Sequence, residues 1–431
     1  MPGSVPPRQP RWLARLPSLL FGRPLARTPL ACALLCCLLW TGCRADSSER
    51  TLANEQLRSV ELGKGLTLHA YPTTRATLED SRIRLHANGA RVLLCLASSG
   101  AGSHELTIEL GNLPAGASLA CSAWRERQKV QIDLDEQLAE PHHSDAPELS
   151  GGSLPDDPRC TPPGRLGPAE EPGWVRWQLS VPGSQSCPDG VDSSSGVTLS
   201  SGGSAPGTVR FAVAGDLQGD RYLARRIGLE AERRELSFLV LLGNLSSGSD
   251  SETELTSMAE VLAELAIPVY ATVGCYDVAG GGDQVFRELF GPTDVDFVHR
   301  QVRFVLLDSA DAMLDPLQYE WLERILGRDA RMTLLFTHTP PFDPEGLRDQ
   351  GFVSHREAAR FVSLLASRKV DALFAGKIHS YARTTYAGVP AYLTGATGGE
   401  ALDEIGPHFL EVRVDPSDPA RPVEVSRVDL P

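Results

Sequence analysis

The stretch Phe211-Ala-Val-Ala-Gly-Asp-Leu-Gln-Gly-Asp220 contains an apolar run that is followed by a glycine and two acidic residues. Four small or apolar residues before Gly215 predict a strand that is buried on both faces, as in a parallel sheet covered by helices. Ligands of open α/β sheets bind just beyond the carboxyl ends of such strands. Asp216 is therefore a candidate site residue.

The same pattern, an apolar run followed by a polar cluster, occurs four more times downstream. The runs are 238–244, 269–277, 332–338 and 372–379. Because the carboxyl ends of parallel strands meet at one edge of a sheet, the five runs predict a single site. Apolar residues at helical spacing lie between the runs and predict helices over 222–236, 255–265, 317–326 and 355–366. Strands alternating with helices predict an α/β fold for residues 208–431.

The N-terminal 42 residues contain five arginines and no acidic residue, and they include the short apolar run Leu30–Trp40. This run is too short to span a bilayer, so we predict a secretory signal peptide over residues 1–42. The sequence Thr41-Gly42-Cys43 also resembles the lipidation box of bacterial lipoproteins, which predicts a lipid on Cys43 and a tether over 43–58. Trp40 fits that box poorly, and an ordinary signal peptide or an uncleaved anchor is the alternative.

Export of the chain to the bacterial cell envelope follows from these features. Arg44 stands where an acidic residue is linked to retention in the inner membrane of some bacteria, which favours the outer membrane. Loss of the five arginines with the signal peptide changes the formal net charge from −14 to −19. Nucleic acids and anionic membrane surfaces require a positive face, so neither is expected as a partner, and membrane association is expected through the lipid only.

Residues 59–181 show alternating apolar and polar residues, which predict half-buried antiparallel strands and a small β-sandwich domain. Asn88-Gly89 is the dipeptide of a tight hairpin and predicts a turn between two of these strands. An acidic, Pro-rich insertion occupies 136–172, and a Ser/Gly-rich linker is predicted over 182–207. In an exported chain, four cysteines suggest two disulfides with three possible pairings. These cysteines are Cys95, Cys121, Cys160 and Cys187.

In order and spacing, the five polar clusters resemble the motifs of the calcineurin-like metallophosphoesterases, a family that includes the purple acid phosphatases. The resemblance covers roughly residues 208–412, and a β-sandwich before this domain is similar to the purple acid phosphatase layout. Such enzymes hold two metal ions through the motifs Asp-x-His, Gly-Asp, Gly-Asn-His-Asp or Gly-Asn-His-Glu, a lone His, and Gly-His-x-His. The resemblance implies a metal-dependent phosphoesterase fold and assigns the family's metal positions to Asp216, Gln218, Asn244, Cys275, His338 and His379.

This chain departs from the family pattern in four of the five motifs. Gln218 replaces a histidine, Asn244 replaces the bridging aspartate, and the third motif is Gly274-Cys275-Tyr276-Asp277. Lys377 replaces the first histidine of the last motif. A neutral amide bridges two cations poorly, and an ammonium has no lone pair to donate to a metal.

A metal ion lowers the pKa of a bound water from 15.7 to about 7. None of these side chains supplies that lowering of the pKa. Tyr276 is the remaining candidate proton donor, and a phenol is a poor acid at neutral pH. Asp277 follows it within the catalytic segment. Lys377 either pairs with Asp216 or Asp277 in the space of the metals or, together with the Gly243-Asn244 turn, holds an anion. The sequence therefore predicts a pseudoenzyme without cofactor whose cleft binds a partner, or an anion such as phosphate.

Two metal-dependent alternatives remain open. In the first, one divalent ion (Mn, Zn or Fe) on Asp216, Gln218, Asn244 and His379 supports residual hydrolysis of phosphoric esters. In the second, Cys275 and His338 take part in binding Zn²⁺, which requires a deprotonated Lys377 or a further ligand.

Overall fold

The computed structural model describes residues 46–431 with the exception of several short and two long segments. The gaps are 57–58, 72, 75, 80, 90, 100–103, 113–116, 123–164, 169–174, 182–195, 202–206, 329, 345, 347–349, 396–403, 419 and 421. The predicted signal peptide, Cys43, Cys160, Cys187 and most of the insertion 136–172 therefore lie outside the described residues. Within the described ranges, no helix combines the length and the apolar character that crossing a membrane requires.

The N-terminal part of the structure contains two five-stranded sheets. The first has the strand order β1-β2-β5-β10-β7 and comprises β1 (Ser59–Gly63), β2 (Leu66–Tyr71), β5 (Arg91–Ser98), β7 (Ala117–Ser122) and β10 (Gly196–Ser201). The second has the order β3-β4-β6-β9-β8 and comprises β3 (Thr77–Glu79), β4 (Arg82–His86), β6 (His104–Gly111), β8 (Arg165–Pro168) and β9 (Val175–Val181). Alternate residues of β4 are buried, as period-two patterning predicts.

Three details of this region differ from the sequence predictions. Asn88-Gly89 does not close a hairpin, because it connects β4 to β5 and these strands belong to different sheets. Strand β10 lies inside the predicted linker 182–207 and pairs with both β5 and β7. Cys95 lies in β5 and Cys121 lies in β7, and β10 separates these two strands. The backbones of the two cysteines are therefore about two strand spacings, roughly 10 Å, apart. A disulfide spans at most about 7 Å between Cα atoms, so this geometry disfavours a disulfide between Cys95 and Cys121, which belongs to one of the three possible pairings.

The C-terminal part contains two further sheets. One has the order β13-β12-β11-β20-β21 and comprises β11 (Val209–Ala214), β12 (Leu239–Leu242), β13 (Val269–Thr272), β20 (His408–Val414) and β21 (Val423–Asp429). The other has the order β14-β15-β16-β17-β19-β18 and comprises β14 (Val295–His299), β15 (Val302–Leu307), β16 (Met332–Thr337), β17 (Ala372–Ala375), β18 (Tyr381–Tyr386) and β19 (Val389–Thr394). The pairs β11–β12, β12–β13 and β16–β17 are parallel, as predicted.

Six helices are present among the described residues. They are α1 (Ser47–Gln56), α2 (Arg221–Arg233), α3 (Ser251–Ala263), α4 (Gly282–Phe290), α5 (Pro316–Leu326) and α6 (His355–Ser367). The four predicted helices correspond to α2, α3, α5 and α6. Each of these four begins at an Asp or Ser whose side chain accepts a hydrogen bond from a backbone N–H of the first turn.

The two C-terminal sheets pack face to face between layers of helices. Phe211 and Phe238 from one sheet meet Phe304 and Phe336 from the other in a shared core. The outer face of the first sheet packs against α2, α3 and α4, and the outer face of the second packs against α5 and α6. Strands buried on both faces explain the continuous apolar runs of the sequence, and the α/β prediction is confirmed.

Helix α1 lies within the segment that the sequence predicts to be a tether, so the tether prediction is wrong for residues 47–56. Arg50 is fully buried and binds Asp308 through two nitrogens, at 2.7 Å from Nε and 3.1 Å from Nη2. Its Nη2 also donates to Asp311 at 3.0 Å. Burial alone would lower the pKa of Arg50. The two carboxylates together raise it by a larger amount, so the guanidinium stays charged. Helix α1 is thereby fixed to the C-terminal region.

Candidate active site

The predicted site residues follow the carboxyl ends of five strands and meet at one edge of the paired sheets. Asp216 and Gln218 follow β11, Asn244 follows β12, and Cys275 follows β13. His338 follows β16, whereas Lys377 and His379 follow β17. Backbone hydrogen bonds join these loops, from Gln218 N to Asn244 O at 2.8 Å and from Gly376 N to His338 O at 2.9 Å.

The site backbone adopts a conformation that is uncommon for residues other than glycine. Five site residues have φ values between 48° and 69°, namely Asp216, Gln218, Asn244, Lys377 and His379. Such left-handed residues cost on the order of 1 kcal/mol each and persist where the surrounding structure enforces them. Gly376 permits the close approach of the loops, since a Cβ there would lie 2.9 Å from Leu242 O and 3.1 Å from Asp216 Oδ2.

Asp216 is fully buried, and donors from the chain satisfy both of its carboxylate oxygens. Asn244 Nδ2 donates to Oδ1 at 3.1 Å, and the backbone N–H of Lys377 donates to Oδ2 at 2.6 Å. His379 Nε2 lies 3.5 Å from Oδ1. Burial alone would raise the pKa of Asp216. His379, His338 and the Lys377 N–H together lower it by a larger amount, so the net shift is downward. The carboxylate is therefore stabilised by protein groups alone.

Gln218 and His379 contact each other at the mouth of this carboxylate. The nitrogen Nε2 of Gln218 lies 2.9 Å from the ring nitrogen Nε2 of His379. The same ring nitrogen also lies 3.5 Å from Asp216 Oδ1. The Nε2 of His379 therefore faces two side chains of the protein at a position that the family pattern assigns to a metal ligand.

Cys275 lies between a cation and an imidazole. Lys377 Nζ is 3.2 Å from Cys275 Sγ, and His338 Nε2 is 3.8 Å from the same sulfur. Burial alone would raise the pKa of Cys275. Lys377 and His338 together lower it by a larger amount, to about 6. Among the described residues, Lys377 forms no ion pair with Asp216 or Asp277, so the predicted pairing with a carboxylate is wrong.

His338 is fully buried and held in one orientation. Its Nδ1 lies 2.8 Å from the carbonyl oxygen of Leu242. Burial lowers the pKa of His338, whereas the hydrogen bond to Cys275 and the charge of Asp216 raise it, with an upward net shift. The contact between these two side chains thus raises the pKa of His338 and lowers that of Cys275.

Asp277 braces two loops instead of presenting a carboxylate to the cleft. Its Oδ1 accepts from Ser246 N at 2.9 Å and from Ser246 Oγ at 3.1 Å, and its Oδ2 accepts from Gly274 N at 2.9 Å. Burial nevertheless raises the pKa of Asp277 to about 6. The neighbouring Tyr276 is partly exposed, and its backbone N–H donates to Asn244 Oδ1 at 3.0 Å.

Sequence reasoning missed Ser246 as a partner of Asp277, and it missed the Leu242 carbonyl that fixes His338. A backbone carbonyl leaves no signal in a sequence. Ser246 follows Gly243-Asn244 by two residues, so a polar residue in the turn after β12 was the available signal.

The geometry does not fit a dinuclear metal centre. The oxygens of Asp216 face N–H donors, the Nε2 of His379 faces an amide, and the sulfur of Cys275 faces an ammonium. Within the described residues, no group of three or more His, Cys, Asp or Glu side chains is arranged to hold a metal ion. The groups at the family's metal positions are instead paired with one another.

The chain is similar to a curated protein described as a probable cyclic nucleotide phosphodiesterase of Rhodopseudomonas palustris. The two are 25% identical over 225 residues, which are 48% of this chain and 81% of the relative. No protein-family model matches the chain. The predicted α/β architecture, with two sheets packed between helices, is confirmed.

Solved structures to which the chain is similar include two phosphatases. The purple acid phosphatase PPD1 from yellow lupin (Lupinus luteus) has a TM-score of 0.47 and 12% identity, and covers 79% of this chain and 70% of its own. A dimetal phosphatase from Danio rerio has a TM-score of 0.38 and 16% identity, and covers 51% of this chain and 98% of its own.

Proposed function

We propose that this chain is an exported, lipid-anchored protein whose metallophosphoesterase-type domain has lost its dinuclear metal centre and binds a ligand or partner without hydrolysing it. One observation carries the proposal: the side chains at the family's metal positions satisfy one another. Lys377 places a fixed cation 3.2 Å from Cys275 Sγ, and two N–H donors occupy the oxygens of Asp216. A dication entering this space would displace these contacts and meet an ammonium.

The energetic argument favours binding over hydrolysis. Metal coordination lowers the pKa of water by about 9 units, which is worth about 12 kcal/mol in forming hydroxide at the site. Asp277 has both oxygens engaged by Ser246 and Gly274, and Tyr276 is a weak acid, so neither replaces that effect. The cleft retains cationic character through Lys377, which supports an anionic ligand such as a phosphate or sulfate group.

Metal analysis and turnover test this proposal directly. The purified mature chain is loaded with Mn²⁺, Zn²⁺ or Fe²⁺, freed of excess ion, and assayed with aryl phosphate mono- and diesters. We expect substoichiometric metal and no turnover above that of the Asp216→Ala variant. Stoichiometric metal, together with turnover that Asp216→Ala and His379→Ala abolish, would contradict the proposal.

A restored site provides the matched control. The quadruple variant Gln218→His, Asn244→Asp, Cys275→Asn, Lys377→His recreates the ligand types of the family pattern at these four positions. We expect this variant to bind metal more tightly than the parent chain. An unchanged metal content would show that these positions do not correspond to the family's metal ligands.

The alternative function is residual phosphoesterase activity with one divalent ion on Asp216, Gln218, Asn244 and His379. The description of the curated relative as a probable phosphodiesterase favours it, as does the 3.5 Å distance between Asp216 Oδ1 and His379 Nε2. The same turnover experiment separates the two functions, because a single ion per chain with hydrolysis supports the alternative.

The proposed location rests on the N-terminal sequence and has its own test. We expect a Cys43→Ser variant to lose the lipid and to leave the membrane fraction when it is produced in a bacterium that lipidates exported proteins. Retention of this variant in the membrane would favour an uncleaved anchor.

A further inference from the structure

The predicted lipid and the first described helix lie close together along the chain. Cys43 precedes Asp46 by three residues, and an extended chain covers at most about 11 Å over that distance. Asp46 begins α1, because its carboxylate accepts a hydrogen bond from Glu49 N at 2.9 Å. The lipid attachment point is therefore confined to the surroundings of the first turn of α1.

Helix α1 is in turn fixed to one edge of the second C-terminal sheet. The buried Arg50 binds Asp308, which directly follows β15. Thr51 donates to Asp294, which directly precedes β14. Because β14 pairs antiparallel with β15, both contacts lie at the carboxyl end of β15. The tether thus starts from a fixed point of the fold.

Large apolar side chains are exposed in the same region. Six are exposed among the described residues, and four of these lie on α1 or on the segments beside it. These four, which we name the apolar rim, are Leu52 (60% exposed), Met313 (39%), Leu317 (37%) and Val353 (74%). Single exposed apolar residues are ordinary, whereas a group of them marks a contact surface.

Contacts between the segments bring the members of the apolar rim together. Leu317 lies in the first turn of α5, and α1, which carries Leu52, packs against α5. Met313 directly follows Ala312, whose carbonyl oxygen accepts from Val353 N at 2.9 Å. The apolar rim therefore borders the helix that leads to the lipid.

We propose that the apolar rim contacts the bilayer into which the Cys43 lipid inserts. The inference rests on the lipid anchor of the proposed function and names the surface that this anchor brings to the membrane. The short tether makes the contact intramolecular, so a few partly exposed apolar side chains suffice although they would bind a bilayer weakly by themselves. The contact does not require a positive face, because apolar side chains enter the boundary between headgroups and acyl chains.

The cleft lies at the same edge as the apolar rim. Strand β15 pairs parallel with β16, so the loops after both strands share one edge of the sheet. Ser309, in the loop after β15, accepts from Thr339 N at 2.8 Å through its Oγ, and Thr339 directly follows His338. Contact of the rim with the bilayer therefore brings the cleft to the membrane surface.

Site-specific photo-crosslinking tests this inference. Benzoylphenylalanine replaces Val353 in one variant and Leu229 in another, and each mature lipidated chain is reconstituted in phosphatidylcholine vesicles and irradiated. Leu229 is the matched control, because it is apolar and 50% exposed but lies on α2, which packs on the outer face of the other C-terminal sheet. We expect about tenfold more lipid adduct at residue 353 than at residue 229 by mass spectrometry, because only the rim lies in the bilayer interface.

Three results would overturn the inference. They are equal lipid adduct at the two positions, no adduct at residue 353, and a crosslink from residue 353 to a second copy of the chain in place of lipid. The last result would assign the apolar rim to self-association. Benzoylphenylalanine in place of Leu317 provides a second position in the rim, and we expect it to react with lipid as residue 353 does.

A second anchor separates this outcome from that of the proposed function. A hexahistidine tag in place of residues 1–43, bound to vesicles that contain a nickel-chelating lipid, holds the chain without the Cys43 lipid. If Cys43 carries no lipid, the proposed anchor is contradicted, and adduct formation by the tagged chain decides the inference alone. Conversely, a lipid on Cys43 without adduct at residue 353 would reject the inference and leave the anchor in place.

Discussion

Two charge clusters among the described residues use their cations in different ways. In the first, which we name the α1 cluster, the guanidinium of Arg50 binds Asp308 and Asp311, and Arg50 and Asp308 are both fully buried. In the second, the cleft, Lys377 contacts the sulfur of Cys275, and Asp216 is satisfied by N–H donors instead. Loss of Arg50 would therefore leave a carboxylate buried without a cation, whereas loss of Lys377 would not.

The largest effect is expected from Arg50→Met. Removing one partner of a buried ion pair typically costs 3 to 5 kcal/mol, so we expect a decrease of about 3 to 5 kcal/mol in the free energy of unfolding. Chemical denaturation measures this change. The matched control is Arg225→Met, which removes an ion pair with Glu264 whose two side chains are about half exposed, and should cost less than about 1 kcal/mol. Equal effects of the two substitutions would show that α1 does not depend on Arg50.

An intermediate effect, dependent on pH, is expected from Asp294. This carboxylate accepts a hydrogen bond from the backbone N–H of Asp308, which belongs to the α1 cluster. Burial and the charge of Asp308 raise the pKa of Asp294 to about 7, from an ordinary value of 3.8. Between these values the folded state holds a proton that the unfolded state has released, so Asp294 makes stability fall as the pH rises from about 4 to about 7.

The variant Asp294→Asn removes this titration. Its amide can keep the contacts with Thr51 Oγ1, Asp308 N and Gln318 Nε2. Relative to the parent chain, we expect the variant to gain on the order of 2 kcal/mol in the free energy of unfolding between pH 5 and pH 8. Denaturation curves for both proteins at the two pH values measure it, and a difference independent of pH would contradict the prediction.

The smallest effect is expected from Lys377→Met. Lys377 is partly exposed and contacts the sulfur of Cys275, which can take up a proton when the cation is removed, and Asp216 keeps its hydrogen bonds because the Lys377 contribution comes from the backbone. We therefore expect a change of less than about 1 kcal/mol in the free energy of unfolding, measured by the same denaturation method. A loss similar to that of Arg50→Met would erase the distinction between the two clusters.

The sequence predicted the elements whose cores leave a periodic pattern. Strands such as β12 have every residue buried, and helices such as α6 place apolar residues on one face and begin at a capping serine. It also predicted that the five polar clusters meet, because the carboxyl ends of parallel strands share one edge. These predictions depend on local composition, and the structure confirms them.

Other features depend on contacts that no local pattern carries. Helix α1 is polar, and Arg50, Thr51 and Asn54 fix it through an ion pair and hydrogen bonds, so it lacks an apolar stripe. Asp46, which accepts from Glu49 N at 2.9 Å, was the available signal for its start. No local pattern predicts the left-handed backbone of Lys377, whose Nζ contacts Cys275 instead of a carboxylate.

The side chain of Asn112 has a consequence for the edge strand β13. Its amide nitrogen donates to Val269 O at 2.7 Å and its amide oxygen accepts from Val269 N at 2.6 Å, as a neighbouring strand would. An uncovered strand edge is a template for pairing with another chain. Asn112 from the N-terminal region therefore occupies the hydrogen-bonding groups of Val269 at this edge, and we expect a chain shortened to residues 208–431 to leave them open to pairing with another chain.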